Sequence, residues 1–220
     1  MKPLVIFGAG DLAEVAWFYF ARDAGADVKA FTVDASHVQA DQLQGLPIVP
    51  FEDVEANFPP AKHDLFVAMS YSGLNAIRAE RCRQAKEKGY ALRTYVSSKA
   101  TVWPDLALGE NCLILEDNTI QPFVRIGNNT TLWCGNHIGH HVRIEDNCFI
   151  TSHVVLSGGV RIGSNTFLGV NSTVRDHVTV GARSVIGAGA LVLEDVPDDG
   201  VVAARGTELS KVPSYRLRRL

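Results

Sequence analysis

Histidines and glycines are the residues of this sequence whose types and spacing could do chemistry. Four of the seven histidines lie in one short span, at His137, His140, His141 and His153, and Gly158–Gly159 follows eighteen residues after His140–His141. An imidazole can take a proton from an attacking nucleophile near neutral pH, and a glycine N–H can hold the oxyanion of a tetrahedral intermediate. Acyl transfer needs both groups side by side, so the fold must bring them together.

An apolar residue returns at every sixth position over 102–192. A period of six is a multiple of the strand period of two, so all these residues can face one interior, whereas a 3.6-residue helical period would spread them around an axis. The residue two positions earlier is usually small or β-branched, which adds a slimmer side chain to the same face. The pattern predicts a β-helix of hexapeptide repeats. The repeated residues are Val102, Leu108, Ile114, Ile120, Ile126, Leu132, Ile138, Ile144, Ile150, Leu156, Ile162, Leu168, Val174, Val180, Ile186 and Val192.

Three such repeats close one triangular coil, so residues eighteen apart lie above one another. His140–His141 then project from a corner, with Pro122–Phe123 on one side and Gly158–Gly159 on the other, where the glycines leave a notch beside the imidazoles. Gly158–Gly159 could instead simply make a turn. His137 precedes the interior Ile138 and points outward from a flat face, where a structural imidazole is common.

Small residues thin one face of this β-helix. Gly169 and Gly187 stack one coil apart, and the run Gly187–Ala188–Gly189–Ala190 keeps the coil slim. The slender pantetheine arm of an acyl-CoA could lie along these coils toward the histidines. The same residues could equally pack against a neighbouring prism.

Strands alternate with helices before the repeats begin. Leu4–Phe7 is an apolar strand, Gly8–Ala9–Gly10 is a tight turn, and Asp11 is predicted to cap a helix. The alternation predicts a small parallel sheet with the glycine loop at its carboxyl edge, where ligands of such sheets bind. Strands are also expected over 28–33, 65–69 and 90–95, a helix over 74–88, and loops over the proline-broken stretch 35–60.

The glycine loop has two interpretations. Its amides and the helix N-terminus could meet a phosphate, with Asp34 at the end of the second strand facing a ribose or base. Alternatively it is a plain structural turn, because a full dinucleotide fingerprint would have a third glycine at Ala13. Asp11 argues against a bound anion, since a carboxylate at the helix start competes with it.

Composition excludes several classes of protein. The net charge is −3 and no basic block precedes Tyr215, so a nucleic-acid partner is not indicated. No run of apolar residues is long enough for a signal sequence or a bilayer span, so we expect a cytoplasmic protein without a membrane partner. The four cysteines lack metal-site spacing, which argues against zinc or disulfides. The basic residues of the tail could meet cofactor phosphates or be solvated: Arg205, Lys211, Arg216, Arg218 and Arg219.

The FGAGDLAE opening, the helix carrying Arg78, the hexads and VRIG at 160–163 resemble the bacterial nucleotide-sugar O- and N-acyltransferases of the sialic-acid and bacillosamine type. The resemblance implies an α/β Rossmann-like nucleotide-sugar-binding domain over 1–95, an all-β left-handed parallel β-helix acyltransferase domain over 96–197, and a C-terminal tail over 198–220. It also implies a homotrimer that binds acetyl-CoA, or another short acyl-CoA, between neighbours, with a place in lipopolysaccharide or glycan biosynthesis.

The same resemblance implies roles for individual residues. The motif GHHVRI at 139–144 places the general base at His140, and the oxyanion amide falls on Gly158. The position after the base is commonly acidic in the family but is His141 here, so His141 is the alternative base. CoA contacts match Val170 and Ala188, next to Gly187. Nucleotide-sugar contacts match Gly10, Asp11, Leu12, Asp34 and Ala35, together with Gly8 of the glycine loop.

The sequence therefore predicts a metal-free enzyme that moves an acetyl or short acyl group from acyl-CoA to the amine of a nucleotide-linked amino sugar. The alternatives are a sugar O-acetyltransferase using the same site, a metal-dependent hydratase of the β-helix type with several histidine ligands, and a non-catalytic scaffold. We also expect a homotrimer because Trp133, Phe149 and Phe167 would otherwise expose apolar surface on the flat faces of the prism.

Overall fold

A computed structural model describes residues 1–216 of the chain. Its N-terminal part contains a five-stranded sheet in the order β3-β4-β2-β1-β5, in which only β3 runs antiparallel to its neighbour. The strands are β1 (Leu4–Phe7), β2 (Val28–Val33), β3 (Gln42–Leu43), β4 (Leu46–Pro50) and β5 (Asp64–Val67). The helices are α1 (Asp11–Phe18), which continues as a π-helical turn over Tyr19–Asp23, α2 (Val54–Asn57) and α3 (Ala76–Glu87).

The glycine loop joins β1 to α1 through a close backbone approach. Gly8 has a φ of +127°, and a Cβ there would lie 2.6 Å from the carbonyl oxygen of Ala68. Only glycine fits this position. The predicted cap at Asp11 is wrong, because Gly10 precedes the helix and Asp11 is already its first residue, so its side chain makes no cap hydrogen bond.

Other boundaries shift in the N-terminal part. The stretch 35–60 is not all loop, since β4 pairs in parallel with β2 even though it contains Pro47 and ends at Pro50. Prolines are tolerated there because β4 lies near the edge of the sheet. The strand expected over 90–95 is reduced to a bridge at Leu92 and the two-residue strand Tyr95–Val96.

The repeats form a three-sided prism of short parallel strands. Its first sheet contains β6 (Tyr95–Val96), β8 (Leu113–Ile114), β11 (Thr131–Leu132), β14 (Phe149–Ile150), β17 (Phe167–Leu168), β20 (Val185–Ile186) and β22 (Val201–Val202). The second contains β9 (Thr119–Ile120), β12 (His137–Ile138), β15 (Val155–Leu156), β18 (Thr173–Val174) and β21 (Leu191–Val192). The third contains β7 (Ala107–Leu108), β10 (Arg125–Ile126), β13 (Arg143–Ile144), β16 (Arg161–Ile162) and β19 (Thr179–Val180).

The strand register confirms the eighteen-residue coil. Ile126 pairs with Ile144, and Ile144 pairs with Ile162, so each interior residue lies over its equivalent in the next coil. The apolar residues at every sixth position form one continuous core, and from Ile114 to Val192 all of them are buried. The parallel sheets and the repeats fit the left-handed β-helix that the resemblance implies.

From Asn111 to Gly189, each corner of the prism turns through one residue with a positive φ. Asparagine, aspartate, histidine and glycine tolerate this conformation best, and they occupy nearly all such corners. Phe123 (φ +67°) and Arg183 (φ +56°) are the exceptions. The other corner residues are Asn111, Asp117, Asn129, Gly135, His141, Asn147, His153, Gly159, Asn165, Asn171, His177 and Gly189.

The N-terminal part covers the first sheet of the prism. Phe149 is only 3% exposed, and the ring centroid of Tyr71 lies 5.1 Å from that of Phe149 and 4.8 Å from that of Phe167. Trp133 packs against the core cluster that contains Leu4 and Phe20. The prediction that a neighbouring prism is needed to cover Trp133, Phe149 and Phe167 is therefore wrong, because the N-terminal part of the same chain buries Phe149 and partly covers the other two.

A buried arginine fastens α3 to this sheet. The Arg78 guanidinium donates to the carbonyls of Asn129 (2.8 Å), Cys148 (3.2 Å) and Met69 (3.2 Å) and to side-chain oxygens of Asn129 and Thr131. Burial lowers its pKa to about 10, so the group is still charged at neutral pH. Five hydrogen bonds offset the cost of burying that charge.

The tail after β22 ends the described chain. Arg205, Lys211 and Arg216 are exposed there, and a short 3₁₀ turn spans Ser214–Arg216. The predictions for Arg218 and Arg219 concern residues outside the described range.

Candidate functional site

The predicted catalytic residues meet at one corner of the prism. His140 and His141 link β12 to β13, and both side chains are exposed. Gly158–Gly159 occupies the same corner one coil further on, and the N–H of Gly159 donates to the carbonyl of His140 at 2.8 Å. Residues eighteen apart therefore come together here as the repeat requires.

The two imidazoles are hydrogen-bonded to each other. Nδ1 of His140 lies 3.1 Å from Nδ1 of His141, and the rings meet edge to face with centroids 5.3 Å apart. One Nδ1 must carry the proton and the other must accept it. When His140 is the donor, its Nε2 carries the free lone pair that a general base needs.

The Cε1–Nε2 edge of the His140 ring, which is not bonded to His141, lies against Gly158. A Cβ built on Gly158 would lie 2.6 Å from Cε1 and 2.7 Å from Nε2 of His140, so any larger residue would displace the imidazole. Within residues 1–216, the N–H of Gly158 finds no acceptor. Some of the equivalent corner amides are satisfied by side chains, as when Ala182 N–H donates to Asp198 at 2.8 Å, whereas others, such as that of Ala188, also find no acceptor among residues 1–216. An unpaired N–H beside an imidazole suits an oxyanion.

The preceding coil supports both histidines. The Gln121 side-chain oxygen accepts the N–H of His140 at 2.8 Å, and the carbonyl of Pro122 accepts the N–H of His141 at 3.3 Å. The Phe123 ring lies against the His141 ring with centroids 4.7 Å apart. The stacking of the repeats predicted Pro122–Phe123 beside the corner, but it does not specify the side-chain contact of Gln121, which was not predicted.

The remaining histidines of the cluster lie elsewhere. His137 points outward from β12, as predicted, and His153 lies at a different corner, where its ring fills the space above Gly135. In the described chain, no group of three or more histidine, cysteine, aspartate or glutamate side chains could hold a metal ion. The histidine ligand set of the hydratase hypothesis is therefore not assembled within these residues.

The thiols offer no nucleophile at this corner. Burial raises the pKa of Cys82 to about 12, of Cys112 to about 11 and of Cys148 to about 12. All four cysteines are free, and these three thiols stay protonated at neutral pH.

A second feature is a cavity of about 1090 Å³ between the glycine loop and the prism. Of the predicted substrate residues, Gly8, Gly10, Asp11, Leu12 and Asp34 line it, whereas Ala35 does not. The N–H of Ala35 instead donates to Glu52 at 3.0 Å. Tyr71, Trp133 and Phe149 add apolar walls that the sequence pattern did not reveal.

Asp34 is held in this cavity by a partner that the sequence did not reveal. The Arg81 guanidinium donates to Oδ2 of Asp34 at 2.6 Å, and both side chains are mostly buried. Nδ1 of His37 lies 3.8 Å from the same oxygen. Oδ1 of Asp34 is left available for a hydroxyl or an N–H of a ligand.

The predicted cofactor residues do not all lie at the cavity. Val170 lines the cavity and is 42% exposed, whereas Gly187 and Ala188 do not line it. A Cβ on Gly169 would lie 2.5 Å from the backbone nitrogen of Ala188, so the coils stack tightly at this corner.

The cavity and the histidine corner are separate within one chain. The cavity borders the first sheet and the corner that contains Ser152 and Val170, whereas His140–His141 lies at the corner between the second and third sheets. None of His140, His141 and Gly158 lines the cavity.

Comparison with known proteins gives one family match. The family described as "Bacterial transferase hexapeptide (six repeats)" matches residues 123–158 and 159–194. No curated protein matches the chain in sequence. Within the described residues, no helix is long and apolar enough to cross a membrane.

Solved structures match nearly the whole chain. A variant of perosamine N-acetyltransferase from Caulobacter crescentus, in complex with CoA and GDP-perosamine, is 29% identical over 91% of this chain and 93% of its own, with a TM-score of 0.82. The acetyltransferase domain of PglB from Neisseria gonorrhoeae is 24% identical over 93% and 97%, with a TM-score of 0.82. WeeI from Acinetobacter baumannii is 16% identical over 93% and 97%, with a TM-score of 0.79, and these last two similarities concern the fold alone.

Proposed function

We propose that the chain is a sugar acyltransferase built on hexapeptide repeats, and that it transfers an acetyl or short acyl group from acyl-CoA to the amine of a nucleotide-linked amino sugar. The observation that carries the proposal is the imidazole of His140 beside the unpaired N–H of Gly158. The similarity to an enzyme in complex with CoA and GDP-perosamine supports both substrate classes.

In the proposed mechanism the sugar amine attacks the thioester carbonyl directly. His140 Nε2 takes the proton that the amine loses as the new C–N bond forms. The N–H of Gly158 stabilises the negative charge on the carbonyl oxygen of the tetrahedral intermediate. The C–S bond then breaks, CoA leaves with the electron pair, and the proton on His140 can neutralise it. No covalent enzyme intermediate is needed.

We assign one ligand to each of the two domains expected from the sequence. Residues 1–95, as a Rossmann-like domain, would hold the nucleotide sugar in the cavity through Gly8, Gly10, Asp11, Leu12 and Asp34. Residues 96–197, the left-handed β-helix, would hold acyl-CoA along the slim coils at Val170, Gly187 and Ala188. The small residues at these corners leave room for a narrow chain such as pantetheine.

The separation of the two halves of the site supports a homotrimer. Because His140 does not line the cavity of its own chain, we propose that the histidine corner of one protomer meets the nucleotide-sugar cavity of its neighbour. Light scattering should therefore give three times the 23.9 kDa mass of one chain. A monomer at micromolar concentration would contradict the shared site.

Asp34→Ala should raise the KM for the nucleotide sugar more than the KM for acyl-CoA. Removing a carboxylate that accepts a ligand hydrogen bond costs roughly 1.5 to 3 kcal/mol, or about 10- to 100-fold in KM. Initial rates with each substrate varied in turn measure this. Asp27→Ala is the matched control, since Asp27 precedes the same strand but is exposed and pairs with Lys29. If the acyl-CoA KM rose instead, the two ligands would be assigned to the wrong domains.

The function itself is tested by measuring thiol release from acetyl-CoA with a panel of nucleotide-linked sugars. The panel pairs each amino sugar with its hydroxyl counterpart on the same nucleotide. Release that depends on the amine supports the proposal. Release only with the hydroxyl compounds would assign the site to O-acetylation, and release with none of them would contradict sugar acyl transfer on this panel.

A further inference from the structure

Phe123 departs from the pattern at the corners of the prism. Its φ of +67° is one that asparagine, aspartate, histidine or glycine adopts at nearly every other corner. A bulky aromatic residue in this region is a backbone outlier, and such outliers concentrate at functional sites.

The fold gains little from this aromatic side chain. The Phe123 ring is 68% exposed in the chain and belongs to none of the hydrophobic core clusters of residues 1–216. Asn129, which has the equivalent place at the next corner along the chain, shows that a polar residue fits this backbone conformation. The backbone strain at Phe123 and the exposure of its apolar ring both destabilise the fold, and packing in the core does not compensate for them.

The Phe123 ring packs against one member of the histidine pair. Its centroid lies 4.7 Å from that of His141 with the planes tilted by 40°, and His141 Nδ1 lies 3.1 Å from His140 Nδ1. Phe123, His141, His140 and Gly158 thus form a contiguous row across three coils of one corner. The row leads from the strained phenylalanine to the unpaired N–H.

An imidazole must be oriented to serve as the partner of His140. A carboxylate would offer two equivalent oxygens, but His141 offers one acceptor nitrogen in each neutral tautomer. The last side-chain torsion of histidine has a broad, roughly two-fold preference, so a ring flip would turn a carbon toward His140 in place of Nδ1. Packing against a neighbouring ring removes that freedom.

We propose that Phe123 is a positioning residue that fixes the ring of His141 so that its Nδ1 faces Nδ1 of His140. It acts through His141 and does not touch either substrate. The proposal rests on the proposed function, because the hydrogen bond it preserves orients His140 as the base.

The first test compares Phe123→Asn with Phe123→Tyr. Asparagine relieves the strained backbone but removes the ring, so we expect an unchanged or higher Tm together with a kcat lowered roughly 2- to 10-fold, the usual worth of an aromatic pair. Tyrosine keeps the ring and should restore kcat to near the wild-type value. Both KM values should stay within about twofold of the wild type.

A double-mutant cycle tests whether the effect passes through His141. In a His141→Ala background, Phe123→Asn should cause no further loss of kcat, because the group that it positions is already gone. A full wild-type kcat in Phe123→Asn would overturn the proposal. So would an additional loss in the His141→Ala background, a rise in KM alone, or conversion of a trimer into a monomer, which would assign the ring to a substrate or a subunit contact.

A spectroscopic measurement keeps this proposal separate from the proposed function. Long-range ¹H–¹⁵N spectra of the imidazoles should show one fixed tautomer for His140 and His141 in the wild type and averaged signals in Phe123→Asn. Unchanged spectra would overturn the positioning role even if the enzyme is active. Failure of the wild type to release thiol from acetyl-CoA would instead contradict the proposed function, while the spectra would still decide the role of Phe123.

Discussion

His140→Ala should lower kcat by roughly 10²- to 10⁴-fold, the usual worth of a general base, while leaving the fold and CoA binding intact. The imidazole is exposed at a corner, so its removal opens no cavity in the core. His141→Ala should cost less, because His141 orients His140 through an Nδ1–Nδ1 hydrogen bond and does not itself take the proton from the amine. The measurement is kcat at saturating acyl-CoA for both variants across pH, with circular dichroism to confirm the fold.

His137→Ala is the matched control for this pair. His137 is also exposed and lies on the adjoining strand β12, but it does not contact the histidine pair, so its kcat should equal that of the wild type. Full activity in His140→Ala combined with a large loss in His141→Ala would exchange the two roles. Full activity in both would remove this corner as the active site. In the wild type, activity should fall in acid because a protonated sugar amine cannot attack the thioester.

Arg78→Met should lower the apparent free energy of unfolding by about 2 to 4 kcal/mol, measured by denaturant titration at fixed protein concentration. Methionine fills part of the space but removes the donor to the carbonyls of Met69 and Asn129, and it leaves the carbonyl of Cys148 with the N–H of Thr131 alone. Without the hydrogen bond from Arg78 to its carbonyl, Met69 should be held less firmly, and so should the wall of the cavity that begins at this residue. A rise in the nucleotide-sugar KM should therefore accompany it.

Arg83→Met on the same helix provides the comparison. Arg83 is exposed and, among residues 1–216, pairs only with Glu80 and Glu87, so its replacement should change stability by no more than about 0.5 kcal/mol. Equal effects of the two substitutions would show that helix propensity, and not the buried contacts of Arg78, determines the outcome.

The prism could be predicted from the sequence because its geometry is periodic. One interior residue in six fixes which side chains face inward, and the stacking of Gly158 beside His140 follows from counting alone. The N-terminal sheet was predicted less well, since β4 and the bridge at Leu92 depend on tertiary pairing that local patterns do not report. Propensity arguments fail where such pairing overrides them.

The site was predicted only as far as the repeat reaches. Counting by eighteen gave the corner but could not give the side-chain rotamers that bring Gln121 to the amide of His140 or Arg81 to Asp34. The error over Trp133, Phe149 and Phe167 has a related cause. Alternation shows that these residues point outward from the prism, but not whether the same chain or another copy covers them.

The eighteen-residue register also limits how this chain can change in length. Adding or removing a whole coil away from the corner would leave every residue above its equivalent, so the prism could grow or shrink in steps of eighteen. An insertion of six residues between His140 and Gly158 would keep the apolar pattern and the fold, yet it would turn all later corners by one third of a revolution. Gly158 would then lie on another edge of the prism, so selection for activity must act on the length of this segment as well as on its residues.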